Sequence, residues 1–253
     1  LALAQAKEAL LGWAATDGGN TANINPGRLV CPDDDNSGNS PGAACANIPG
    51  RLPWKTLQID DLRDGSAERL WLIVDPAFQP SSGPADGASA IMNSSYISKV
   101  TLTLDGKPAI AIIVAPGRPL QGQNRINTGL VNSPSNLAAN YLESYTNPIA
   151  TQPVSSVYND QILTISPQEL FSIVTFRMAR ELSEAAYDSA GAITGSTISD
   201  LTKPMIWSIN KWDDDVAPSS AIVGATITLK FQGCGIEYTI TGPGSVARSG
   251  PTC

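Results

Sequence analysis

The opening residues restrict the fold more than any other part of this chain, because they are strong helix-forming sequence. Leu3, Ala6, Leu10 and Trp13 recur at spacings of three and four residues, so they share one face of a helix. A helix over residues 1–16 is therefore predicted, and we expect it to lie on a sheet through its apolar side chains.

No N-capping residue marks the start of this helix, whereas a stop signal marks its end. No Ser, Thr, Asp or Asn precedes Leu1 as an N-cap, but Asp17-Gly18-Gly19 follows the last helical residues. We expect the helix to continue upstream into a segment such as a membrane span, with an upstream disordered segment as the alternative. Leu1 and Leu11 are expected to stay uncovered and to mark where neighbouring molecules pack.

The composition removes several classes of function. The chain has 253 residues and no histidine, which excludes Ser-His-Asp and Cys-His catalysis and any zinc site that needs imidazole. Acid–base work by carboxylates and Ser-Lys pairs remain possible. The net charge is −7 and no block of Lys and Arg occurs, so nucleic-acid binding is not expected.

The four cysteines fall into two local groups, Cys31 with Cys45 and Cys234 with Cys253. Four cysteines allow three pairings, and we interpret both local pairs as disulfides. Disulfides indicate an oxidising compartment, either the periplasm or the cell exterior. Thiolate metal ligation is the alternative, but no Cys-x-x-Cys pair supports it.

Alternation and turn residues predict the strands. Residues 69–74 read as a buried strand, and residues 96–104 and 109–114 flank Asp105-Gly106, which is a strong hairpin signal. Residues 221–241 are rich in β-formers and predict a second hairpin or a sheet edge.

A second helix is predicted after Ser166, because Ser166-Pro-Gln-Glu169 is a capping box with proline at the first helical position. It is expected to end near Tyr187, and a short helix is expected near residues 136–145. Its buried side should carry Leu170, Val174, Met178 and Leu182. Residues 1–253 are interpreted as one α+β domain, with a helix on an antiparallel sheet, a second helix inserted and long loops.

Several segments carry a resemblance. Pro49-Gly-Arg-Leu-Pro-Trp-Lys-Thr-Leu57, followed by Asp61-Leu-Arg-Asp-Gly-Ser-Ala-Glu-Arg-Leu-Trp71, resembles a group of prepilin-like proteins of Gram-negative bacteria. The order of the opening helix with Ala9-Leu-Leu-Gly-Trp13, of Ala115-Pro-Gly-Arg-Pro-Leu120 and of Asn159-Asp160 is similar as well.

The resemblance implies a pilin-like fold related to type IV pilins and type II secretion pseudopilins. Such proteins have a cleavable leader and a long helix, whose first half spans the inner membrane and drives filament assembly. Residues 1–16 would be the second half of that helix and residues 17–253 the periplasmic head. The resemblance implies a non-enzymatic subunit whose partners are other pilin-like or pseudopilin subunits. The head exceeds the size of most major pilins, so we expect a minor or specialised subunit. The isolated head is expected to be largely monomeric, because the apolar span that would drive filament packing is absent.

An acidic loop is the best candidate for an ion site. Asp33-Asp34-Asp35-Asn36-Ser37-Gly38 could offer oxygens to Ca²⁺ through Asp33 and Asp35, and some pseudopilins bind this ion. The alternative is a solvated loop tied by Cys31–Cys45, since three adjacent aspartates cannot all point inward from one extended segment. Asp213-Asp-Asp215 is a second such cluster, and no other cofactor is expected.

A dense mixed-charge group lies beside Trp54 and Trp71. Its members are Asp61, Arg63, Asp64, Glu68 and Arg69. It could be a carboxylate site or a carbohydrate platform. We favour a structural role, in which Arg63 pairs with nearby carboxylates and locks residues 49–71 over the core.

The alternative function is an adhesin-like or glycan-binding module. Its contacts would be Trp207, Trp212 or the loops of residues 117–160. For the two tryptophans we favour the other interpretation, that they cap a core. A carboxylate-dependent hydrolase is a third class. Ser166 is read as an N-cap and not as a nucleophile. The upstream gene sequence would discriminate these functions, because a prepilin leader and an apolar span belong to the pilin-like class alone.

Overall fold

A computed structural model describes residues 1–16, 25–41, 45, 49–80, 92–126 and 136–250. Helices combine with antiparallel sheets, so the predicted α+β class is confirmed. The chain forms two compact units. The first unit comprises Leu1–Gly18, Arg28–Ser82 and Val100–Ser166, and the second unit comprises Gly19–Gly27, Gly83–Lys99 and Pro167–Cys253. A single domain over residues 1–253 stays a prediction.

The first unit is built on a four-stranded antiparallel sheet. Its strands are β1 (Gly50–Arg51), β2 (Trp71–Val74), β5 (Ala111–Ala115) and β6 (Gln161–Ile165), in the order β1-β2-β5-β6. Every residue of β2 and β5 is buried, as expected for central strands made of Val, Ile, Leu, Trp and Ala. The predicted helix forms α1 (Ala2–Thr16), which packs on β5 and β6.

The burial of residues along α1 shows that one prediction about its uncovered leucines is wrong. Leu10 is buried as expected, and Leu1 is 98% exposed. Leu11 is only 5% exposed, so the expectation that it stays uncovered is wrong. It precedes the fully buried Ala14 by three residues and therefore lies on the covered arc of the helix. Leu3 is only partly buried.

The predicted hairpin is present but short. Asp105 and Gly106 both have positive φ, at 50° and 74°, and they join β3 (Thr103–Leu104) to β4 (Lys107–Pro108). Residues 111–115 pair with β2 and β6 and not with the residues before the turn.

The alternation predicted a strand over residues 96–104, but residues 96–99 belong instead to a 3₁₀ helix (Ser94–Lys99) of the second unit. Asp215 holds its start by accepting hydrogen bonds from Ser94 and Ser95. The short helix expected near residues 136–145 is a single 3₁₀ turn at Ala138–Asn140.

The second unit contains the predicted second helix, α2 (Pro167–Ala185), with the expected four apolar side chains buried. It packs on β9 and β10 of an antiparallel sheet ordered β10-β9-β8-β7. The strands are β7 (Ala221–Val223), β8 (Thr226–Lys230), β9 (Glu237–Gly242) and β10 (Ser245–Arg248). Two short helices, α3 (Met205–Ile209) and α4 (Trp212–Asp215), precede the sheet.

The predicted Cys31–Cys45 disulfide is present. Cys234 is also disulfide-bonded, and Cys253, its predicted partner, lies outside the described residues. Among the helices of the described chain, none has both the length and the apolar character that crossing a bilayer requires.

Candidate functional site

The mixed-charge group predicted from the sequence is brought together in the first unit. The carboxylate of Asp61 bridges two arginines, with Arg63 Nη2 at 2.6 Å and Arg69 Nε at 2.9 Å. Partial burial raises the pKa of Asp61, but the hydrogen bonds from Arg69 and Arg63 outweigh it and hold the pKa below its usual value. Asp61 therefore stays ionised between two cations.

Asp64 and Glu68 have different roles within this group. Asp64 accepts hydrogen bonds from the backbone N–H groups of Ser66, Glu68 and Gly117, so it shapes the backbone and does not pair with an arginine. Glu68 lies 3.2 Å from Arg125 Nη1, which comes from a distant loop. Two carboxylates of the group are therefore ion-paired and the third orders the turn, whereas the locking of residues 49–71 by Arg63 stays a prediction.

Arg51 lies against the group and is 3% exposed. Its guanidinium carbon is 4.1 Å from the ring centroid of Trp71 and 4.0 Å from that of Tyr141, which are cation–π distances. Nη1 donates to the carbonyl oxygen of Arg69 at 2.9 Å. Burial lowers the pKa of Arg51 to about 10, so the side chain still carries its charge at neutral pH.

Arg125 is the fourth arginine. Its guanidinium carbon is 4.5 Å from the Tyr141 centroid, and its side chain is 7% exposed. It donates to the carbonyl oxygen of Gly117 at 2.8 Å and to Gln123 Oε1 at 2.6 Å. These bonds fix the polar 117–126 segment against the charged group.

The four arginines surround a cavity of about 290 Å³, here named the arginine cleft. Its lining residues are Asn36, Arg51, Arg63, Glu68, Arg69, Arg125 and Tyr141. Asn36 has a φ of 64°, a conformation that asparagine tolerates, and its carbonyl and side-chain oxygens both accept from Arg69 Nη1 at 2.8 Å. Every lining side chain is polar or charged, so the cleft is suited to a polar ligand.

A carboxyl pair is connected to the cleft through Gln123. Gln123 Nε2 donates to Glu143 Oε1 at 2.6 Å, and Glu143 Oε2 accepts from the backbone N–H groups of Asn159 and Asp160. The backbone N–H of Glu143 in turn donates to Asp160 Oδ2 at 2.9 Å. Burial raises the pKa of Asp160 to about 7, and the charge of Glu143 adds to the increase. Asp160 can therefore hold a proton near neutral pH.

The acidic loop is organised around Asp33. Asp33 Oδ1 accepts from the Asp35 N–H at 3.1 Å and Oδ2 from the Gly38 N–H at 2.6 Å, while its backbone pairs with that of Arg51. Burial raises the pKa of Asp33 to about 6. The oxygens of Asp33, Asp34 and Asp35 lie within 4.8 Å of one another, yet both oxygens of Asp33 already bind the loop. Calcium binding stays a prediction.

The tryptophans of the alternative function are core residues. Trp207 and Trp212 are both 0% exposed. Their rings pack on each other and on Phe231, at centroid distances of 5.2–6.3 Å. The interpretation of both tryptophans as core residues is therefore confirmed, and the alternative that they contact a ligand at the surface is wrong.

The carboxylates of Asp213 and Asp215 do not point to one common site. Asp213 pairs with Lys203 at 2.7 Å and accepts from Trp207 Nε1 at 3.1 Å. Asp215 is buried and accepts from Ser94 and Ser95. The two carboxylates thus serve different contacts within the second unit.

A larger groove, of about 710 Å³, lies beside α1 in the first unit and is here named the helix groove. One wall is the exposed side of α1, and the other is the loop before Asp61. The lining residues are Ala4, Gln5, Glu8, Ala9, Gln58, Ile59, Asp60 and Leu62.

Sequence reasoning missed Arg51, Arg125 and Tyr141 as parts of the charged site. Arg51 lies between Gly50 and Leu52, so no adjacent charge pointed to it. Arg125 and Tyr141 are far along the chain from Arg63, so their spacing in the sequence did not indicate a contact. The one available signal was Arg125, one of two arginines in the polar segment after Gly117. No protein-family model, curated protein or solved structure matches the chain.

Proposed function

We propose that this chain is the head of a pilin-like or pseudopilin-like subunit, a non-enzymatic structural protein of a type IV pilus or type II secretion filament. The observation that carries the proposal is α1, an N-terminal helix that packs on the antiparallel sheet of the first unit. This is the arrangement that the resemblance implies for the second half of a pilin helix.

The exposed surface of α1 supports assembly through this helix. Leu1 is 98% exposed, and the helix groove offers Ala4, Ala9, Ile59 and Leu62 beside polar side chains. Small and apolar side chains allow a second helix to approach closely. In the proposed filament, the helix of a neighbouring subunit lies along this groove, and α1 continues upstream as the apolar span that anchors the subunit in the inner membrane.

The Cys31–Cys45 disulfide supports the proposed location. Disulfides persist in the periplasm and outside the cell and are rare in the reducing cytosol. The subunit would therefore expose its head to the periplasm before assembly and to the exterior afterwards.

Cysteine cross-linking of the protein with its native upstream sequence tests the proposal. Gln5→Cys and Gln58→Cys place thiols on the two walls of the helix groove, and Gln121→Cys is a matched control at an exposed glutamine outside it. Co-expression of Gln5→Cys and Gln58→Cys subunits should give a cross-linked dimer in the membrane fraction, whereas Gln121→Cys paired with Gln58→Cys should not. Free release of uncross-linked protein into the periplasm would rule out the filament subunit.

A further inference from the structure

The arginine cleft holds more positive charge than its carboxylates balance. Among the described residues, three of its arginines, Arg63, Arg69 and Arg125, pair with only two carboxylates, those of Asp61 and Glu68. The remaining hydrogen bonds of the arginines go largely to backbone carbonyl oxygens, which satisfy N–H donors but do not cancel a charge. Because two of the guanidinium groups are almost buried, water screens this surplus poorly.

The exposure of the arginines is graded from the mouth of the cleft inward. The side chain of Arg63 is 45% exposed and that of Arg69 is 23% exposed, so both can meet a ligand from solvent. Arg63 uses Nε, Nη1 and Nη2 for its contacts with Asp61 and Ala67. A guanidinium has five N–H groups, so Arg63 keeps donors for a ligand.

The way Asp61 is bound shows which ligand chemistry these arginines accept. Its two oxygens receive N–H donors from Arg63 and Arg69 at 2.6–3.2 Å, in the geometry that guanidinium groups use for oxyanions. A second oxyanion beside Asp61 would meet the remaining donors at the mouth and the charge of Arg51 and Arg125 further in.

We propose that the arginine cleft binds a small oxyanionic ligand, a carboxylate- or phosphate-bearing molecule of about monosaccharide size, with Arg63 and Arg69 as its direct contacts. The volume of about 290 Å³ admits a molecule larger than a single inorganic ion. The polar lining supplies Asn36 and Tyr141 for hydroxyl groups on the remainder of such a ligand. The arginine cleft is separate from the helix groove, so the ligand-binding proposal can be tested independently of the filament proposal.

Calorimetric titration of the whole chain with three probes tests the site. Glucuronate offers a carboxylate, glucose 6-phosphate offers a phosphate, and glucose offers the same ring without the charge. At least one anion should bind and glucose should not, and added salt should weaken the binding because it screens the cleft. Binding of only one anion identifies the group as carboxylate or phosphate, and binding of both shows that the oxyanion alone is recognised.

Matched variants locate the binding. Arg63→Gln should weaken anion binding about tenfold or more, as expected for the loss of a charge-assisted hydrogen bond. Arg118→Gln removes the same charge at an exposed position outside the cleft of the first unit and should leave the affinity unchanged. As a second measurement on the unmodified chain, the Nε–H resonances of Arg63 and Arg69 should shift on addition of the anion. Equal binding of glucose, no binding of either anion, or unmoved Arg63 and Arg69 resonances would overturn the proposal.

Discussion

At the scale of single residues, Arg51 and Arg63 show how burial decides what one arginine contributes. The two residues lie in the same segment and both contact the charged group. Arg63 is nearly half exposed, so water competes with its pair to Asp61. Arg51 is enclosed by the rings of Trp71 and Tyr141, where its stem and its charge are both shielded. We therefore expect Arg51, which sequence reasoning did not select, to contribute more than Arg63 to holding residues 49–71 in place.

This contrast gives a matched prediction. Arg51→Ala should lower the free energy of unfolding by about 2–4 kcal/mol, because it removes two cation–π contacts and leaves a cavity beneath Trp71. Arg63→Ala should lower it by about 1 kcal/mol or less, since exposed ion pairs contribute little. Urea denaturation of both variants measures the difference. Equal losses in the two variants would show that burial does not decide the contribution.

Two buried aspartates predict an unusual dependence of stability on pH. The folded-state pKa of Asp33 is about 6 and that of Asp160 is about 7, both above the ordinary value near 4. Between pH 4 and pH 7 these two aspartates therefore bind more protons in the folded chain than in the unfolded chain. The stability that these groups contribute is fully present below about pH 4 and is lost as the pH rises through about 6 and 7.

We expect Asp160→Asn to reduce the decrease in melting temperature between pH 4.5 and pH 7.5, because the amide cannot ionise. Asparagine keeps an oxygen that can accept from the Glu143 N–H, so the contact itself survives. Asp214→Asn, at an exposed position in the second unit, should leave the decrease as it is in the wild type. An unchanged pH dependence in Asp160→Asn would contradict the raised pKa.

At the scale of elements, local periodicity in the sequence predicted a helix correctly, but contacts between residues far apart along the chain could not be predicted. The capping box and the apolar spacing of Leu170, Val174, Met178 and Leu182 were sufficient to place α2 and its buried side, because both signals lie within one helix. Residues 96–104 alternate like a strand, but Asp215, far along the chain, binds Ser94 and Ser95 and holds the start of a 3₁₀ helix that takes up residues 96–99. The arginine cleft escaped prediction for the same reason, since Arg125 and Tyr141 reach it only through tertiary contacts.

In helix α1, replacing leucine with alanine should have different effects at a buried and at an exposed position. Leu11→Ala should lower the free energy of unfolding by about 2–4 kcal/mol, because Leu11 is buried with Leu10 and Ala14. Leu1→Ala should change it little, because Leu1 is almost fully exposed. Thermal unfolding distinguishes the two variants. If Leu11→Ala were neutral, α1 would not be held on the sheet by this face.

The acidic loop of residues 33–38 should bind Ca²⁺ weakly at best. A calcium site needs six to eight oxygens that are free to turn inward, whereas both oxygens of Asp33 hold the N–H groups of Asp35 and Gly38. Calorimetric titration with Ca²⁺ should therefore give no micromolar affinity. Micromolar binding that is lost in Asp35→Ala would show that the loop rearranges around an ion.

At the scale of the whole molecule, both the net charge and the proposed assembly route predict that the head alone does not self-associate. The chain carries a net charge of −7, so copies of it repel one another at moderate salt. In the proposed filament, the upstream apolar helix supplies most of the attraction between subunits, and the helix groove alone offers only a few apolar side chains. Self-association should therefore depend on the upstream segment and not on the head.

We accordingly expect residues 1–253 to sediment as a monomer at micromolar concentration, and to remain monomeric when salt screens the charge. Under the filament proposal, a longer form that carries the proposed upstream span should instead fractionate with the membrane and cross-link through the helix groove. Analytical ultracentrifugation at low and high salt tests the first expectation without depending on the second. A tight dimer of residues 1–253 would mean that the head itself carries the main interface, and the binding-module alternative would then explain the surface better than a filament subunit.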